Sequence, residues 1–171
     1  MKYLKVVLVF ILLFSIVVST AGCRLFDFIT ADKIEVIFYE HEDMFVEAAK
    51  VLHNILKDRD LRIWILTEND DNDSPGARKI DNIYFEPGDS FTDEEYKAMY
   101  DCVESLFSLK IINGIFGCDS YIRFAIPNRW DDDASLYYTK EGTNFPNVVG
   151  QIEEHEYIAP NWHAVVVATF D

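Results

Sequence analysis

The sequence predicts an α+β domain, a mixed or antiparallel sheet with two helices packed on one face. Three observations point there. Short runs rich in β-branched and aromatic residues recur along the chain, at 34–39, 61–66, 79–86, 111–116, 121–126, 136–139 and 161–170. Two longer stretches instead set their apolar residues three and four apart, the spacing of a one-sided helix. The order strand, helix, strand occurs twice and then gives way to strands joined by short connections.

Residues 23–32 read as a tether, apolar at Leu25, Phe26, Phe28 and Ile29, and the domain proper is expected to span 33–171. Its first strand is expected at Ile34, Val36, Ile37, Phe38 and Tyr39. A helix follows at once, with Met44, Phe45, Ala48, Val51, Leu52, Ile55 and Leu56 on one side and Glu42, Asp43, Glu47, Lys50 and Lys57 on the other. Acids at its start suit the positive end of the helix dipole. The strand at 61–66 runs into an acidic loop that closes at Pro75 and Gly76. The strand at 79–86 stops at Pro87 and Gly88.

Thr92 and Glu95 have the spacing of a capping box, in which each side chain satisfies a free backbone N–H of the other. The helix it opens runs to about Lys110 on Tyr96, Met99, Val103, Leu106, Phe107 and Leu109. Gly117, Cys118, Asp119 and Ser120 then separate two apolar runs as a hairpin. The last strand is the strongest, because Ala164, Val165, Val166, Val167 and Ala168 leave no polar side and predict burial on both faces. The tetrapeptides at 37–40 and 83–86 look alike, which ordinary strand composition explains better than a duplicated unit.

Ahead of the domain, Lys2 and Lys5 precede an apolar run from Val6 to Val18, followed by Ser19, Thr20, Ala21, Gly22 and Cys23. Positive, apolar and small in that order is a secretory signal, too short for the roughly 20 residues of a spanning helix. Residues 20–23 resemble the lipobox of bacterial lipoproteins, with Thr20 where that family places an aliphatic residue. The resemblance implies removal of residues 1–22, a diacylglyceryl thioether on Cys23 and residence on the outer face of the cell membrane. Two acyl chains suffice for stable attachment, each buried CH₂ contributing roughly 0.8 kcal/mol.

The whole chain carries 15 basic and 30 acidic side chains; losing Lys2 and Lys5 with the leader leaves 13 against 30, a formal charge of −17. So acidic a domain is a poor partner for nucleic acid or an anionic surface. Besides Cys23 there are two cysteines, Cys102 and Cys118, which could pair outside the cytosol or stand as two buried thiols. About 149 residues remain after the leader, enough for one domain.

Motifs for catalysis, cofactors and metals are lacking. Asn69, Asp71 and Asp73 alternate like the first ligands of a calcium loop, but Ser74 stands where the turn needs Gly and Ile80 where a bidentate Glu belongs. Asp131, Asp132 and Asp133 are consecutive and point in different directions, so a solvated turn is expected. His41, His53, His155 and His163 show neither zinc spacing nor an HExxH helix. No nucleophile elbow, phosphate-binding loop or dinucleotide turn occurs.

The C-terminal third, with Tyr121, Tyr137, Tyr138, Pro160, Asn161, Trp162 and His163, is similar to an uncharacterised set of small secreted or lipid-anchored proteins of Gram-positive bacteria, a likeness that implies no activity. The expected role is a non-enzymatic binding domain outside the membrane, with a contact patch of Trp130, Tyr137, Tyr138 and Trp162, since aromatic anchors dominate interfaces. The alternatives are a cell-envelope hydrolase using the loop carboxylates, and an immunity or inhibitor protein whose acidic face meets a basic toxin.

Overall fold

Thr30 has extended backbone angles, φ −105° and ψ 164°, and its hydroxyl accepts a hydrogen bond from the Lys33 N–H. That cap opens a helix, α1, over Ala31–Glu40, where a strand is expected. Ala31, Ile34 and Phe38 are buried on one side of it, and Val36 and Tyr39 are exposed on the other. A short apolar run fits either period when read alone, and packing against the sheet decides between them. The domain also starts earlier than residue 33, since Ala31 and Asp32 belong to α1 and Ile29 packs on the core.

The structure is a computed structural model and describes residues 29–67, 78–86, 90–127, 133–141, 145–146 and 150–168. Cys23, Trp130, Asp131, Asp132 and the acidic loop from Asn69 to Asp73 lie outside the described residues.

Helix α2, Glu42–Leu56, follows α1 and buries Phe45, Ala48, Ala49, Leu52 and Leu56, the expected face. Helix α3, Asp93–Ser108, begins at the capping box: the Thr92 hydroxyl accepts the Glu95 N–H at 3.2 Å, and the Glu95 carboxylate accepts the Thr92 N–H at 2.8 Å. That carboxylate also pairs with Arg59, just beyond α2, whose guanidinium lies 5.9 Å from the Phe91 ring. The Arg59 hydrogen bond, more than the cap, holds the Glu95 carboxyl below its ordinary range. One side chain thus ties the end of α2 to the start of α3.

Eight strands form one sheet: β1 (Arg62–Thr67), β2 (Arg78–Ile80), β3 (Ile83–Glu86), β4 (Gly114–Cys118), β5 (Tyr121–Ile126), β6 (Asp133–Thr139), β7 (Gln151–Ala159) and β8 (Trp162–Ala168). Their order is β2-β3-β1-β4-β5-β6-β8-β7, and every neighbouring pair is antiparallel. The fold is α+β as expected. Among the described residues three helices rather than two cover one face, because the first expected strand is α1. The run at 79–86 is a tight hairpin that turns at Asp81, held at φ 53°.

Strand β7 has no counterpart in the sequence reading, since Glu153, Glu154 and Glu156 break any apolar alternation and residues 151–157 are exposed. It is an edge strand, where charge discourages pairing with other chains. Two contacts bind it to α1: the Ala31 N–H donates to Glu154 Oε2 at 2.6 Å, and the Tyr39 hydroxyl donates to the Ile158 carbonyl at 2.7 Å. The first also places a carboxylate at the positive end of the helix.

Side chains alternate across a strand. Ile63, Ile65, Ile115, Ile122, Phe124, Leu136, Trp162, Ala164 and Val166 face the helices. β8 is interior to the sheet, with Val165 and Val167 also buried, on its other side, as its apolar run predicts. Near the core's centre the Trp162 ring lies 4.9 Å from Phe38, 5.2 Å from Tyr138, 6.0 Å from Phe124 and 6.3 Å from Phe45.

Gly117 in β4 lets α2 approach the sheet. A Cβ there would meet Leu56 Cδ1 at 2.8 Å, Ile122 Cδ1 at 3.0 Å and Ile63 Cγ2 at 3.1 Å, and all three residues are fully buried. Gly117→Ala is expected to lose about 1–3 kcal/mol by overpacking, read as a lower urea midpoint at unchanged slope. An unchanged midpoint would show that α2 yields without cost.

Candidate functional site

Among the described residues the helices α1, α2 and α3 pack on one face of the sheet, and the other face presents its side chains without them. The alternation that buries Ile63 and Ile65 turns Trp64 and Leu66 to this second face; Phe116, Tyr121, Arg123, Tyr137 and His163 join them from the neighbouring strands. Strands β1, β4, β5, β6, β8 and β7 each contribute a ring, and with Phe145 the rings meet in a line. Trp64 and Phe116 lie 4.5 Å apart, Phe116 and Tyr121 5.6 Å, Tyr121 and Tyr137 5.9 Å, and Tyr137 and Phe145 5.2 Å. Phe145 then reaches His163 at 5.0 Å, which meets Tyr157 at 5.5 Å.

The middle of this line is a packed satellite core and its ends are open. Tyr137, Val165 and Val167 are buried there, under Tyr121 and Phe145. Burial above all pushes the Tyr137 hydroxyl up to about 12. At the ends, Trp64 is 45% exposed and Tyr157 65%. Beside Trp64 lies a cleft of about 320 Å³. Trp64 and Phe116 line it together with Leu66, Gly114 and Ala125, and Thr67, Asn113 and Arg123 add polar groups. Gly114 keeps it open, because a Cβ there would stand 3.0 Å from Leu66 Cδ2.

Arg123 is held firmly. Its Nε donates to Ser135 Oγ at 2.9 Å, its Nη2 pairs with Asp133, and Ser135 Oγ in turn donates to Asp133 Oδ1 at 3.0 Å. The charge of the guanidinium is thereby compensated beside the cleft.

No family model, curated protein or solved structure matches this chain. The chemistry of the open face is what bears on function.

Of the patch expected from sequence, the structure assembles little. Trp162 is 4% exposed and sits in the helix-side core, so it cannot serve as a contact residue. Tyr138 touches Trp162 and the His53 ring on that same side, whereas Tyr137 lies on the opposite face. Consecutive strand residues point to opposite faces, and the pair was never one surface. Trp130 lies outside the described residues. What sequence reading missed is Trp64, whose signal was its alternation with Ile63 and Ile65 beside the exposed Arg62.

Cys102 and Cys118 are free thiols. Cys102 lies on α3 and its thiol donates to the Met99 carbonyl at 3.1 Å; Cys118, on the open-face side of β4, contacts Ser120 Oγ at 3.2 Å. The sheet stands between them. Burial, chiefly, pushes the Cys102 thiol up to about 12, the behaviour of a small apolar residue rather than a nucleophile.

Among the described residues, no group of three His, Cys, Asp or Glu side chains could hold a metal ion. Two histidines nevertheless meet: His155 Nε2 and His163 Nδ1 are 3.1 Å apart, and the His155 ring stacks on Phe145 at 4.6 Å. That contact needs one nitrogen to donate and the other to accept. Burial, and then the His155 ring, lowers His163 below its ordinary value of 6.5; burial, and then Lys140, lowers His53.

A base whose folded value is depressed stabilises the fold above the unfolded value of 6.5, and that stability is lost as pH falls toward the folded one. The urea midpoint is expected to fall from about pH 7.5 to 5.5, and the fall should be smaller in a His53→Gln, His163→Gln protein. Comparing the two proteins cancels the general relief of acidic repulsion. Equal slopes would show that neither imidazole is linked to folding.

Proposed function

We propose that this chain is an exported, lipid-anchored protein whose α+β domain binds a partner outside the membrane through the face of its sheet opposite α1, α2 and α3. The observation that carries the binding reading is the half-exposed Trp64 beside an amphipathic cleft on that face. A large apolar ring left in contact with water on a strand, where its neighbours Ile63 and Ile65 are fully buried, is a ready anchor for an interface.

Binding is favoured over hydrolysis by the state of Asp133. Of the carboxylates that a hydrolase would recruit from the loops, it is the one among the described residues, and Arg123 and Ser135 occupy it. A carboxylate whose oxygens are already taken by a guanidinium and a hydroxyl is not free to engage a substrate.

The anchoring part rests on the leader and the small residues before Cys23. No helix among the described residues is long and apolar enough to cross a membrane. Attachment through Cys23 puts the domain within reach of envelope components, while an acidic domain is held off an anionic bilayer by charge.

Intact mass of membrane-extracted protein is expected to show the loss of residues 1–22 and the addition of a diacylglyceryl group, and Cys23→Ala should carry neither change. A mass that still includes Met1 in the unaltered protein would end the anchoring proposal. For the binding face, a photoreactive side chain at position 64 should give adducts in cells that the same group at position 36, on α1, does not. Equal yields from both positions would remove the assignment of this face.

A further inference from the structure

We infer that the cleft beside Trp64 is a binding site for a neutral saccharide, a hexose or hexosamine ring stacked on the indole. This deepens the open-face reading and rests on it.

The argument begins with the ring. The Phe116 ring packs edge-on against Trp64, at 4.5 Å and 61° between planes, and is itself backed by Tyr121. Trp64 remains 45% exposed and is braced from behind, so a ligand stacking on it orders little that is not already ordered. The face of an aromatic ring is electron-rich, and the ring C–H bonds on one side of a sugar are weakly positive and coplanar enough to lie on it.

The cleft supplies the rest of what a sugar needs. Part of its lining is small and apolar, because Gly114 has no side chain and Ala125 a single methyl. Its rim carries an amide at Asn113, a hydroxyl at Thr67 and the Arg123 guanidinium, groups that between them donate to and accept from ligand hydroxyls. Ser135 and Asp133 engage Nε and Nη2 of Arg123, and Nη1 takes part in neither bond. Asn113 is exposed at the mouth, with its backbone N–H fixed on the Ala125 carbonyl at 3.0 Å.

Charge and size narrow the ligand class further. Among the described residues that line the cleft the cation is Arg123, already paired with Asp133, and the mature chain has 30 acidic side chains against 13 basic, so an anionic ligand gains little here and is repelled at long range. A volume of about 320 Å³ is at the small end of the roughly 300–1,000 Å³ of small-molecule sites. That suits one or two sugar rings and is too small to enclose a helix or an extended peptide. A purely aromatic ligand would stack equally well but would leave the polar rim desolvated and unpaired.

The test uses the full-length protein in detergent and follows its indole N–H resonances, with the Trp64 signal assigned as the one missing from Trp64→Phe. Glucose, galactose, N-acetylglucosamine and chitobiose are titrated singly, with glucuronate and benzoate as anionic and aromatic comparators. At least one neutral sugar is expected to move the Trp64 resonance saturably in the millimolar range. Asn113→Ala should weaken that binding about tenfold or more, and Ala125→Leu, which fills the cleft, should abolish it with the remaining spectrum unchanged.

Sedimentation with insoluble purified peptidoglycan separates the sources. Binding only to the polymer, lost in Trp64→Ala, supports an envelope glycan, whereas binding only in the titrations supports a free sugar. No saturable shift and no sedimentation would overturn the inference, as would benzoate matching the best sugar. If position 64 still cross-links while every sugar fails, the sugar assignment falls and the open-face reading stands; if it does not cross-link either, both fall.

Discussion

The Trp162 ring and the aromatic side chains around it are the contact on which the rest of the structure depends. Trp162 begins β8, Phe38 belongs to α1, Phe45 to α2, Phe124 to β5 and Tyr138 to β6, so one cluster joins two helices to three strands. Burial of such rings weighs heavily in core energetics, and favourable ring geometry, edge-on with Phe45 and stacked with Phe124, adds roughly 0.5–1.5 kcal/mol per pair. Because the cluster draws α1 and α2 to the same face, the described helices leave the other face to the strands. The surface proposed for binding follows from where the core was built.

An antiparallel sheet covered on one side must still manage its other side. Here the solution is uneven. Toward β6 and β8 the face is closed by a small second core of Tyr137, Val165 and Val167 under Phe145, and toward β1 it is left open at Trp64. Arg123, paired with Asp133, sits near the boundary between the two. The buried centre packs the middle of that face and the exposed end leaves Trp64 in water, so one aromatic line is packed along its length and bare at its ends.

The histidine pair belongs to the same economy of space. His155 on the edge strand and His163 beside it share a contact that uncharged rings can make and two imidazolium ions cannot. Burial lowers the His163 value, so a fall in pH is expected to weaken that corner.

Much of the fold was legible in the chain. The α+β class, the apolar faces of α2 and α3, the Thr92 and Glu95 capping box and the doubly buried β8 all follow from spacing and residue type, which are local properties. Tertiary structure alone decided the rest. The run at 34–39 is helical because Ile34 and Phe38 have a core to enter; β7 is a strand because β8 offers it a ladder and α1 two hydrogen bonds, although its own residues lack an apolar pattern. The candidate site was illegible for a related reason. Its rings and its cleft draw on separate strands, each contributing a few residues whose side of the sheet is settled by register, and register is a relation between strands that no single stretch of sequence contains.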